Sequence, residues 1–105
     1  MLYLVTMHVD REREREWLDW MVGRHVPAVL ATGAFTGATV TADPAEDSPT
    51  RSGYRILYRA RSRAALDRYV SEHAPALRRE HNERFGGAFD ATRDVLEVVA
   101  DLSPT

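Results

Sequence analysis

Two β-rich runs, Phe35-Thr-Gly-Ala-Thr-Val-Thr-Ala42 and Tyr54-Arg-Ile-Leu-Tyr-Arg-Ala60, are joined by the turn-rich stretch Asp43 to Ser52. Together they read as a hairpin of two strands around a mobile loop. What flanks the hairpin decides the fold. On each side lies one helical region and, beyond it, one further strand, which gives the order β-α-β-β-α-β. With right-handed crossovers, that order folds as a ferredoxin-like α+β domain: a four-stranded antiparallel sheet with two helices on one face.

Upstream, Leu2 to Val9 is a strand whose two faces are both largely apolar, as expected of a strand covered on both sides. Asp10 is placed to cap the helix that opens with Arg11 to Glu16. That helix then turns amphipathic through Trp17, Met21 and Ala28, with Leu18 and His25 alongside. Pro27 predicts a break near His25 and Val26, then a short helical piece to Ala31 that ends at Thr32-Gly33.

Downstream, Ser62 caps a helical region that ends at Gly86-Gly87 and is divided by Pro75. Its inward face is expected to carry Leu66, Val70, His73, Leu77, His81 and Arg84. The fourth strand is expected over Asp94 to Ala100. One domain over residues 1–101 and a tail over residues 102–105 complete the reading.

Composition narrows the function. The chain has 105 residues, 44% hydrophobic and 29% charged, which suits one globular domain. The absence of cysteine removes disulfides, thiol nucleophiles and thiolate metal sites. All 14 basic residues are arginine, mixed with 16 acids, for a net charge of -2. Without a basic patch, nucleic acid is not an expected partner. No apolar run reaches membrane-span length and no signal-peptide pattern opens the chain, so a cytoplasmic location is expected.

Two helices cover only one face of such a sheet. The other would present Leu2, Leu4, Thr6, Leu57 and one register of the last strand. A second copy is the simplest cover for it, with Arg55, Arg59 and Glu97 able to pair across the interface.

Three stretches carry a family resemblance: Glu16 to Pro27 (Glu-Trp-Leu-Asp-Trp-Met, then Arg-His-Val-Pro), Ala31 to Phe35, and His73 to Gly87. The chain resembles, over nearly its whole length, an uncharacterised bacterial domain-of-unknown-function family placed by fold among the dimeric α+β barrels. The Trp…His-x-Pro piece is also similar to the first helix of EthD-type proteins. That superfamily includes cofactor-free monooxygenases, haem-degrading enzymes, polyketide cyclases and muconolactone isomerases. The resemblance implies the fold, dimerisation and a pocket between sheet and helices. It supplies no catalytic residue.

Candidate working groups come from the residues themselves. His25, His73 and His81 lie on or beside the apolar helix faces. If Tyr54, Ile56 and Tyr58 are the helix-facing register of the third strand, two phenols join them. Trp17, Trp20, Met21 and Arg84 would border the same space. We therefore take His25, His73, Tyr54 and Tyr58 as catalytic candidates, and Trp17, Trp20, Met21, His81 and Arg84 as ligand-binding candidates. A histidine can move a proton near neutral pH, and a phenol or guanidinium can stabilise an enolate or phenolate.

The structural alternative stands beside this. His25 and His73 would satisfy backbone groups at the proline breaks, His81 would be half exposed, and Arg78 and Arg84 would pair with Glu80 or Glu83. Metal is not expected: His73 and His81 are eight residues apart, about 12 Å along a helix. No phosphate loop or serine-nucleophile elbow is present.

The leading expectation is a homodimer that binds an apolar or aromatic small molecule, with proton transfer, cyclisation or oxygenation open to it without a cofactor. The alternatives are a non-catalytic dimerisation or binding module, and a haem-handling monooxygenase.

Overall fold

The computed structural model describes residues 1–104; Thr105, the end of the expected tail, lies outside them. The strands are β1 (Leu2–Asp10), β2 (Phe35–Ala42), β3 (Arg51–Ala60) and β4 (Phe89–Leu96), and the helices are α1 (Glu14–Trp20), α2 (Val26–Ala31), α3 (Arg63–Glu72) and α4 (Ala74–Phe85). All strand pairs are antiparallel, in the order β2-β3-β1-β4. This is the expected ferredoxin-like α+β fold.

Side-chain alternation sorts the sheet into two faces. Tyr3, Val5, Met7 and Val9 of β1 are buried beneath the helices, and their partners across β3 include Tyr58, Ile56 and Tyr54. The helix-facing register of β3 is therefore the one that carries the two phenols. The opposite face carries Leu2, Leu4, Leu57 and Leu96, which no helix covers; at its other end Thr6 is buried and the Pro44–Glu46 turn lies over His8 and Gly53. Leu2, Leu4 and Leu57 are half-buried and Leu96 is exposed, so only one face of β1 is fully packed.

Five local expectations need correction. The first helical region is not broken at Pro27. It runs from a 3-10 turn (Arg11–Arg13) through α1 and a π-helical turn (Met21–His25) into α2, and the Val26 N–H reaches back to the Met21 carbonyl. A widened turn relieves the clash that a proline ring makes with the carbonyl four residues earlier, so the chain continues. Asp10 does not cap with its side chain; its carboxylate accepts a 2.8 Å hydrogen bond from Arg51 instead.

On α3 the inward residues are Leu66 and Tyr69, while Val70 is exposed. Finally, β4 spans Phe89–Leu96 rather than Asp94 to Ala100, and residues 97–104 have no regular structure. The strand begins as soon as the Gly86-Gly87 turn permits, because β1 offers a full-length partner. β3 likewise starts earlier than expected, at Arg51.

The second proline does mark a division. His73 leaves helical geometry (φ -115°, ψ -40°) between α3 and α4, and Pro75 sits in the first turn of α4. Ser62 caps α3 as expected, its hydroxyl accepting from the Ala65 N–H at 3.0 Å. Gly33 (φ +82°) and Gly87 (φ +84°) supply the left-handed conformations that end the two helical regions.

Candidate functional site

The helices meet the sheet around a small cavity. Its floor is Tyr3, Val5 and Met7 of β1, Tyr58 of β3 and Arg93 of β4. Its roof is His25 from the π-helical turn, Tyr69 from α3, and Leu77, Arg78 and His81 from α4. The enclosed volume is about 20 Å³, room for one water molecule.

His81 is buried, not half exposed. Its Nε2 accepts a 3.0 Å hydrogen bond from the Trp17 indole N–H, and its ring lies flat on Phe89 with centroids 3.8 Å apart. Burial, then the neighbouring His25 and Arg93, lowers its pKa to about 3. His25 lies 5.1 Å from His81, ring to ring, with Trp20 against both. Burial lowers its pKa to about 4. At neutral pH, then, both imidazoles are uncharged.

The two differ in their partners. His81 has committed Nε2 to Trp17, whereas the Nδ1 of His25 is buried without a hydrogen-bond partner. A buried polar atom left unpaired is costly, so His25 brings an unspent polar group to the cavity.

Three tyrosines meet here. Tyr3 accepts a 3.0 Å hydrogen bond from Arg78, which does not pair with Glu80 or Glu83 as the sequence suggested; Glu80 is held by Arg24 at 2.7 Å. Burial pushes the Tyr69 phenol up to about 12 and raises Tyr58 further. Both are therefore firmly protonated donors.

The structure gathers the sequence candidates only in part. His25, His81 and Tyr58 line the cavity, and Trp17 and Trp20 form its second layer. Met21 is fully buried in the core. Tyr54 is buried 5.1 Å from the Trp17 ring, but its hydroxyl donates to the Glu14 carboxylate, which also accepts from Ser52 at 2.8 Å. Burial, then that carboxylate, raises its pKa to about 12. His73 lines a separate recess with Tyr69, Arg68 and Thr32. Arg84 lies outside, over the Trp20 and Phe85 rings at 6.0 and 5.8 Å.

Sequence reasoning passed over Tyr3, Tyr69, Arg78 and Arg93 as site residues. For Arg93 a signal existed: it is two residues before Val95, in the helix-facing register of β4. Among the described residues no group of three or more His, Asp or Glu side chains is placed to hold a metal ion, and no helix is long and apolar enough to cross a membrane.

A family model described as a domain of unknown function (DUF4286) matches residues 1–99. No curated protein matches the sequence. Among solved structures, the chain is similar to SnoaB of Streptomyces nogalater, a cofactor-independent oxygenase, with 12% identity over 98% of this chain and 97% of that one (TM-score 0.71). An EthD family protein of Bacillus halodurans has 12% identity, with 92% and 99% covered (TM-score 0.66). An antibiotic biosynthesis monooxygenase has 18% identity, with 95% and 100% covered (TM-score 0.62). Identities this low show a shared fold.

Proposed function

The chain belongs to the DUF4286 family of domains of unknown function, and from that premise we propose that it is a homodimer binding a small aromatic molecule between helices and sheet. The observation that supports this most is His25: a neutral imidazole with an unpaired buried Nδ1, facing a cavity lined by three phenols and two guanidiniums. Such a group accepts a proton from a phenol or enol, and the phenols and guanidiniums stabilise the oxygen anion that results. An anion brought to the cavity also raises the pKa of His25, so proton transfer and binding reinforce each other. The oxygenase among its structural neighbours works without a cofactor, and proton abstraction is the chemistry that this cavity can supply by itself.

A ring cannot enter a one-water cavity without movement. α4 is the wall to move, since it begins at the His73 discontinuity and carries Leu77, Arg78 and His81. For haem the fit is poorer still: His81 has its Nε2 committed to Trp17, and a porphyrin needs a far larger opening than a single ring.

A second copy covers the open sheet face. A two-fold axis parallel to the strands near β1 lays β3 over the partner's β4. Arg59, whose guanidinium is held within its own chain by Thr39, then faces the strand that carries the partner's Asp94. Arg55 is already 2.7 Å from Asp43 in its own chain, and Glu97 lies beyond β4, so neither is the free interfacial charge expected from sequence.

The cavity's small volume favours one second reading, a non-catalytic dimeric module in which the histidines are packing. Native mass spectrometry of protein purified gently from its host separates the two. A dimer with a reproducible small-molecule adduct supports the binding reading. A clean dimer, still empty after incubation with a host extract, supports the module.

A further inference from the structure

We infer that the molecule taken into this cavity is an anion, an aromatic carboxylate carrying a neighbouring hydroxyl, clamped by Arg78 and Arg93 with Tyr3 between them. The inference rests on the binding reading above and deepens it.

Arg78 and Arg93 reach the cavity from opposite walls, α4 and β4. Neither makes an ion pair with any Asp or Glu among the described residues, a condition they share with six other arginines; what sets these two apart is that they line one cavity. Arginine carries only donors. Tyr3 spends an oxygen lone pair on Arg78, which leaves its O–H free to donate. Tyr58 and Tyr69 add two more hydroxyls that have no hydrogen-bond partner among the described residues.

Against these donors the cavity wall offers as acceptors only the phenol oxygens and a ring nitrogen of His25, because the acceptor of His81 is taken by Trp17. No carboxylate lines the cavity. Arg93 is exposed along part of its length; its partial burial, then the neighbouring Arg78, lowers its pKa, while Tyr3 and Tyr69 act the other way.

A donor-rich, acceptor-poor, doubly cationic cavity is complementary to a ligand rich in acceptors with a single proton to give. A carboxylate meets the planar guanidinium fork with two oxygens. An adjacent hydroxyl supplies the proton to His25, and aromatic neighbours accept the ring. No covalent step is required for binding.

Salicylate and its uncharged isostere salicylamide test this, by NMR titration of the full-length protein with resonances of His25 and Arg93 observed. Salicylate is expected to shift both and to bind at least about tenfold more tightly than salicylamide. Arg78→Gln and Arg93→Gln should each remove that preference. Arg78→Lys and Arg93→Lys, which keep the charge but lose the fork, should retain part of it and stand in where a Gln variant does not fold. If both probes shift His25 alike and the arginine variants change neither, the clamp is wrong and the binding reading stands. If neither probe perturbs His25 or Arg93, the clamp and the ring-binding cavity fall together.

Discussion

The indole N–H of Trp17 points at the Nε2 of His81 at 3.0 Å, and this one contact fixes the imidazole's tautomer. An acceptor Nε2 on a neutral ring leaves the proton on Nδ1. Ring nitrogen spectra should therefore show His81 as the neutral Nδ1–H form at pH 7 and still so at pH 5, given a pKa of about 3. Trp17→Phe should release that preference and cost about 1–3 kcal/mol through the unpaired acceptor alone. A cationic His81 at pH 5 would contradict this.

Buried neutral histidines also set the acid limit of stability. The folded pKa values of His25 (about 4) and His81 (about 3) lie below the ordinary 6.5. Below pH 6.5 the unfolded chain binds protons that the folded chain refuses, so stability falls as pH drops towards 4. Each group contributes a slope of up to about 1.4 kcal/mol per pH unit. Urea unfolding across this range should show the decline, and His25→Leu should flatten it. His8 acts oppositely. Its hydrogen bonds to Asp90 (2.5 Å) and Glu46 (2.9 Å) raise its pKa, so its contribution is present below pH 6.5 and is lost as pH rises through the folded value.

Tyr54 and Glu14 should behave as a coupled pair. The phenol donates to a carboxylate that holds Ser52 as well. Tyr54→Phe should cost about 1.5–3 kcal/mol, the range for a hydrogen bond to a charged group. In a double-mutant cycle with Glu14→Gln, most of that cost should appear as coupling energy. Additive effects in urea midpoints would mean that the bond contributes little.

The uncovered sheet face predicts an assembly phenotype without a folding phenotype. Leu4→Glu or Leu57→Glu places a charge among half-buried leucines. Analytical ultracentrifugation should give twice the chain mass for the wild type and the single-chain mass for either variant, with the circular dichroism spectrum retained. A wild-type monomer at micromolar concentration would remove the dimer from the account.

Much of the architecture was legible because it is carried by pattern. Turn residues bound the β2–β3 hairpin, Ser62 and the Gly-Gly pair bracket α3 and α4, and alternation put Tyr3, Val5 and Met7 on one face. The errors share a cause. Asp90, Thr92 and Asp94 are polar because they lie on the face away from the helices, and this masked β4, while the apolar pairs Val95-Leu96 and Val98-Val99 around Glu97 drew the expected strand too far along the chain. Pro27 read as a break because local rules do not include a π-helical turn that absorbs it. The cavity was half legible. The histidines and Tyr58 stand on amphipathic faces, but the place of Arg93 follows from the register of β4 against β1, and that of Arg78 from the packing of α4, neither of which is a local property.

The most direct test of the central claim is a crystal structure of the dimer prepared from protein that carries its host-derived adduct. Organic density is expected between His25, Tyr58 and Arg93, with α4 displaced outwards about His73. An α4 still closed over a single water, with the adduct lodged elsewhere, would contradict it.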